Sequence, residues 1–169
     1  MTPHGYLITV GDFYVHTSRI QYSESVASLL EQDTAPSRLG QLFVRFAEAL
    51  LRPNGEGIDD VVAPAARFHE LEAAGFPPGP QGFKAFRALI NAAFPDESVV
   101  IVAMRFPEPG IIETELACTA THRGELMGIP ATGKQVHFTV HTRNRFDGDR
   151  MAERWDRMDF AGLLADLRS

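Results

Sequence analysis

Residues 121–159 read THRGELMGIPATGKQVHFTVHTRNRFDGDRMAERWDRMD, and their periodicity decides the fold. From Gln135 the pattern repeats every two residues. Val136, Phe138, Val140, Thr142, Asn144 and Phe146 share one face, and Gln135, His137, Thr139, His141, Arg143 and Arg145 share the other. Successive side chains of an extended chain point to opposite sides, so this alternation predicts a half-buried strand. Asp147-Gly148-Asp149 supplies a hairpin turn. Met151 to Met158 then returns, with Ala152, Arg154, Asp156 and Met158 opposed to Glu153, Trp155 and Arg157.

Upstream, Ile111 to Thr121 alternates in the same way after a tight turn at Pro107-Glu108-Pro109-Gly110. Val99 to Met104 is apolar at both parities, which predicts a strand covered on both faces. Before residue 95 the period is helical. Ser37 is the expected N-cap of a helix running to about Arg52, with Leu39, Leu42, Phe43, Phe46 and Leu50 on one face. Pro53-Asn54-Gly55 ends it, and a shorter helix is expected over Ile58 to Ala63, bounded by Pro64. After the rigid Pro77-Pro78-Gly79-Pro80 turn, Phe83, Phe86, Ile90, Ala93 and Phe94 mark a further amphipathic helix. A last helical turn, Phe160 to Leu167, offers Leu163, Leu164 and Leu167.

Residues 1–36 read as an N-terminal extension, with a short strand at Tyr6 to Val10 and a helical turn or two from Ser25 to Glu31. The break at Asp33-Thr34-Ala35-Pro36 separates it from a domain over 37–169. Helices first and antiparallel strands second predict an α+β domain, with helices packed on one side of a curved sheet.

Composition narrows the function. A net charge of −6 leaves no basic stripe for a phosphodiester backbone, so nucleic acid is not an expected partner. The single Cys118 excludes an internal disulfide and any Cys-based metal set. The N-terminus shows no secretory signal pattern and no apolar run is long enough to span a membrane, so a cytoplasmic location is expected. No P-loop, GxGxxG or His-Glu-x-x-His motif occurs. His137 and His141 are four apart, but on a strand that spacing does not bring them to one metal, so none is expected.

What remains is acid–base chemistry. An apolar wall of Phe138, Val140, Ala152 and Met158 would strip water from a carboxylate placed on it and make it a better base. Asp156 has the parity to be that carboxylate. Arg154, two residues earlier, points the same way, so a salt bridge holding Asp156 ionised is the rival reading.

Several ordered pieces of this sequence resemble one family. They are Thr121-His122-Arg123-Gly124-Glu125 with Gly128-Ile129-Pro130-Ala131-Thr132-Gly133-Lys134, then Gly82-Phe83-Lys84-Ala85-Phe86 leading to Ala93-Phe94-Pro95-Asp96, and Glu153-Arg154-Trp155-Asp156 with Asp159 and Gly162-Leu163. Over about residues 37–167 the chain is similar to the SnoaL-like polyketide cyclases and ester cyclases, a branch of the NTF2-like (cystatin-like) superfamily of cone-shaped α+β domains. The resemblance implies a curved mixed or antiparallel sheet with helices on its concave side. It also implies a homodimer or larger homo-oligomer, no cofactor, and intramolecular aldol closure started by an aspartate on the last strand, which falls on Asp156. The sequence departs from the family where His and Gln partners are usual. Thr142, Val140 and Arg154 stand there instead, leaving Arg154, Asn144 or His69 to meet an enolate oxygen. His122 matches the family's loop histidine, with a structural role favoured.

Three functions follow. The first is a cofactor-independent cyclase or isomerase acting on a polyketide-like or other hydrophobic carbonyl compound, with Asp156 and Arg154 catalytic and His69, Phe138, Val140, Thr142, Asn144, Met158 and His122 around the substrate. The second is an epoxide-opening hydrolase using Asp156 and Arg154 to activate water. The third is a container that binds a small hydrophobic molecule without chemistry.

Overall fold

The computed structural model describes residues 19–52 and 55–169, together with the backbone of Ile8–Val10 and Phe13–Val15. Tyr6 and Leu7 of the expected first strand, and Pro53-Asn54 of the expected turn, lie outside the described residues. Among the described residues eight strands form one curved, open sheet: β1 (Ile8–Val10), β2 (Phe13–Val15), β3 (Ile20–Ser23), β4 (Val62–Phe68), β5 (Ser98–Glu108), β6 (Ile111–Thr121), β7 (Gln135–Asp147) and β8 (Arg150–Arg157). Their spatial order is β1-β2-β3-β5-β6-β7-β8-β4. β3 with β5 and β4 with β8 are parallel pairs, and the other neighbours are antiparallel. Through β3 the N-terminal extension is part of the same sheet, Ile20 facing Val99 and Tyr22 facing Ile101.

Among the described residues six helices accompany it: α1 (Glu24–Leu30), α2 (Ala35–Leu50), α3 (Ile58–Val61), α4 (His69–Ala73), α5 (Gly79–Ala93) and α6 (Phe160–Arg168). Helix α2 starts two residues before the expected Ser37 cap. Thr34 is the N-cap, its side chain accepting the Ser37 N–H at 3.2 Å, and Pro36 occupies the first turn, where a missing N–H costs nothing. Ser37 is buried and donates its hydroxyl to the Leu30 carbonyl at 3.1 Å, tying α1 to α2.

The expected helix from Ile58 to Ala63 is one turn long, and β4 follows it at once. Pro64 lies inside that strand. A proline lacks the donor that a central strand needs, but β4 is the sheet's edge, where one donor can be spared. At the other end of the hairpin β5–β6, the strand runs through Pro107 to Glu108, so the turn is confined to Pro109 and Gly110, the latter at φ 77°.

The core divides in two. In the larger part, Phe43 and Phe46 of α2 and Phe83 of α5 meet Val99, Ile101, Ile112, Leu116 and Cys118 of the sheet. Phe43 and Phe46 are fully buried, each side chain stabilising the fold by roughly 1.5–3 kcal/mol. The smaller part gathers Ile90, Ala93 and Phe94 of α5, Leu126 and Ile129 of the 122–133 loop, Val136, and Leu163 and Leu167 of α6. The loop packs so closely on α5 that a Cβ at Gly124 would lie 2.1 Å from the Ala92 carbonyl oxygen. A glycine is the residue that permits this approach.

Candidate active site

The inner faces of β6, β7 and β8 carry two cross-strand rows. Thr114, Thr142 and Asp156 form one, and Ile112, Asn144 and Arg154 the next. Hydrogen bonds join them into a chain. The Thr114 and Thr142 hydroxyls are 2.7 Å apart, Asn144 Nδ2 donates to Thr142 Oγ1 at 2.7 Å and to the Ile112 carbonyl at 3.2 Å, and Arg154 Nη1 donates to Asn144 Oδ1 at 3.0 Å. All four of these polar side chains are buried. The Arg154 guanidinium carbon stands 5.1 Å from the centre of the Phe46 ring, a cation over an aromatic face.

The chain ends at Asp156. Arg154 Nε lies 2.8 Å from Asp156 Oδ1, with the aspartate side chain 25% exposed and that of the arginine 6%. The N–H is not aimed at the oxygen, so the contact is ionic, and Nε and Oδ1 are both buried with no hydrogen-bond partner among the described residues. Asp156 therefore presents one oxygen inward to a cation, while the carboxylate as a whole keeps an opening to its surroundings. The backbone N–H of Asp156 donates to Glu70 Oε2 at 2.7 Å.

Of the other expected site residues, Phe138 and Val140 are half-buried against the larger core, and Met158 packs on the smaller one. His69 is not beside the Asp156 carboxylate. Its ring stacks on Trp155, centroids 4.7 Å apart and 8° from parallel, and its Nε2 is 2.8 Å from Glu153 Oε1. Trp155 and Glu153 alternate with Asp156 and Arg154 along β8, so the reversal from β4 into α4 delivers His69 to the opposite face. His122 is buried beside Phe94. Its Nδ1 accepts the Thr132 N–H at 3.2 Å and lies 3.0 Å from Thr132 Oγ1, while its backbone bonds Lys134 and Gly133. It pins the loop shut and does not reach Asp156's row. Thr114, Phe46 and Glu70 belong to the site and were not among the site residues expected from the sequence. The parity of β6 marks Thr114, whereas nothing in the spacing connects Glu70 with Asp156.

A cavity of about 610 Å³ adjoins the end of β8. Its lining includes the cross-strand row Arg105, Glu113, Arg143 and Trp155, with Glu70 and Asp156. This lining is charged, where the sequence led to an apolar wall; the apolar residues Phe138, Val140 and Ala152 are spent on packing instead. Neighbouring charges offset one another. Arg143 bonds Glu113 at 2.6 Å and Glu108 at 3.1 Å, which holds its guanidinium above its ordinary value. The hydrogen bond from His69, followed by that from Arg145, holds the Glu153 carboxyl below the usual carboxylate range. Among the described residues no group of three or more His, Cys, Asp or Glu side chains is placed to hold a metal ion, and no helix is long and apolar enough to cross a membrane.

The sequence profile of the SnoaL-like polyketide cyclases matches residues 41–167. The chain belongs to the SnoaL-like polyketide cyclase family. Solved structures agree on the fold. TsrD from Streptomyces laurentii superposes with a TM-score of 0.69 at 22% identity, covering 81% of this chain and 98% of that one. IdmH from Streptomyces antibioticus gives 0.65 at 25% identity, covering 78% and 99%. A SnoaL-like polyketide cyclase from Agrobacterium tumefaciens gives 0.62 at 16% identity, covering 76% and 97%. A comparison with curated proteins returns no match. The fold is thus the NTF2-like α+β fold, and this SnoaL-like chain carries on its last sheet strand a buried arginine and a partly exposed aspartate. Such a pair can accept a proton at the carboxylate and hold developing negative charge at the guanidinium.

Proposed function

We propose that this protein is a cofactor-independent cyclase or isomerase acting on a polyketide-like or other hydrophobic carbonyl compound. Asp156 removes a proton from the carbon α to a carbonyl. Arg154, fixed by Asn144 and by the Phe46 ring, faces the enolate oxygen as charge develops there. The enolate carbon then adds to a second carbonyl of the same molecule, and the new alkoxide takes up a proton. Family membership supports the reaction class. The observation that carries the residue roles is the Thr114–Thr142–Asn144–Arg154 chain, which orients a single cation at the one carboxylate on the inner face of β8.

The ionic contact between Arg154 and Asp156 also favours a second reading, a container in which the pair is structural and no bond is made or broken. Ring closure of a synthetic linear poly-β-keto ester, followed by absorbance and mass spectrometry, separates the two. The cyclase reading expects wild-type protein to accelerate closure and Asp156→Asn to lose that acceleration while keeping its fold. Closure at equal rates with both proteins, or with neither, supports the container.

A further inference from the structure

We infer that Glu70 is a positioning residue for Asp156, an inference that rests on the proposed role of Asp156 as the base. Helix α4 replaces a strand at this point. The parallel pairing of β4 with β8 includes Arg67 facing Glu153 and Phe68 facing Arg154, and the chain then turns into α4 at His69. Two residues further along β8, the Asp156 N–H projects from a sheet edge that β4 has already left. The Glu70 carboxylate takes the vacant acceptor position, 2.7 Å from that nitrogen. A carboxylate is a stronger acceptor for a backbone N–H than the carbonyl it replaces.

Two further side chains hold α4 in place for this. His69 stacks on Trp155 and bonds Glu153, so the residues on both sides of Arg154 are gripped from α4. Glu72 accepts both the Arg67 Nε–H at 2.8 Å and the Phe68 N–H at 3.2 Å, which fixes the turn between β4 and α4. Glu70 is itself exposed and lines the same 610 Å³ cavity as Asp156. An exposed acid spent on one edge amide contributes little to global stability. Its consequence is local: it fixes the backbone from which the Asp156 carboxylate meets Arg154, so without it the base is free to leave the geometry that proton transfer needs.

The test uses the full chain as wild type, Glu70→Ala and Glu70→Gln. Glutamine keeps an acceptor oxygen and alanine does not. Amide exchange at Asp156, followed by NMR, is expected to be at least tenfold faster in Glu70→Ala and within about threefold of wild type in Glu70→Gln. In parallel, exchange of the α-protons of methyl 3-oxodecanoate into deuterated buffer is expected to show kcat about tenfold lower in Glu70→Ala, with KM within twofold, and restored in Glu70→Gln. An Asp156 amide as protected in Glu70→Ala as in wild type overturns the inference, as does an unchanged kcat. If the wild type and Asp156→Asn exchange the probe equally, the role of Asp156 as base fails. The amide measurement still decides whether Glu70 holds that strand.

Discussion

Arg154 is shared between a neutral amide and a carboxylate: its Nη1 donates to Asn144 Oδ1 at 3.0 Å, and its Nε lies 2.8 Å from Asp156 Oδ1. The guanidinium is buried beneath Phe46. Removing it strands a buried carboxylate oxygen and an amide oxygen together. Arg154→Ala is therefore expected to destabilise the fold by about 3 kcal/mol, measured by urea unfolding. Arg154→Met combined with Asp156→Asn should cost less than Arg154→Ala alone, because no uncompensated charge remains. Equal costs would mean that the pair is not electrostatically coupled.

The hydroxyl pair Thr114–Thr142 gives a second thermodynamic test. Each hydroxyl is buried, and Thr142 also accepts from Asn144. Thr142→Val leaves the Thr114 hydroxyl and the Asn144 amide without that partner and is expected to cost about 1–3 kcal/mol. Adding Thr114→Val removes one of the orphaned groups, so the double variant should be less destabilised than the sum of the singles. Additive losses in a double-mutant cycle would contradict the chain of hydrogen bonds.

On the opposite face, Glu153 is held below the usual carboxylate range by the His69 hydrogen bond first and by Arg145 second. A depressed carboxyl contributes stability that is present above its unfolded value and lost as pH falls through its folded one. His69→Ala removes the larger cause, so the folded midpoint should move up toward the ordinary carboxylate value and the acid-side loss should shrink. A carbon-13 titration of the Glu153 carboxyl measures this directly. An identical midpoint in both proteins would show that the bond does not form.

Burial pushes the Cys118 thiol up to about 12, and the side chain is inside the larger core. At pH 8 it should be almost entirely protonated and unreactive toward iodoacetamide in the folded protein. Labelling is expected at the rate of unfolding only. Rapid labelling without denaturant would place the thiol outside the core.

Much of the sheet was legible because its strands are half-buried and alternate cleanly. Gln135 to Phe146 and Ala152 to Arg157 show the parity that puts Thr142, Asn144, Arg154 and Asp156 on one face. β4 was not legible. A strand of seven residues with Pro64 inside it resembles a break, and only its place at the sheet edge makes that proline tolerable. Missing β4 also hid the side of the sheet on which α4 lands, and so misplaced His69 and concealed Glu70. The helix start shifted for a local reason, since Thr34 and Ser37 are both competent caps and Pro36 selects the earlier one. The charged cavity was hidden for a different reason: the alternation identifies which residues face outward, but not that the rows containing Arg105 and Arg143 border a hollow.

As the proposed base, Asp156 takes a proton from carbon. The rate of deuterium incorporation at the α-carbon of methyl 3-oxodecanoate, compared between wild type and Asp156→Asn at equal fold stability, tests it most directly. A positioned general base contributes roughly 10²–10⁴-fold, so the expected result is a wild-type rate well above buffer and a loss of that order in Asp156→Asn. Exchange that proceeds equally in wild type and Asp156→Asn would show that Asp156 is not the base.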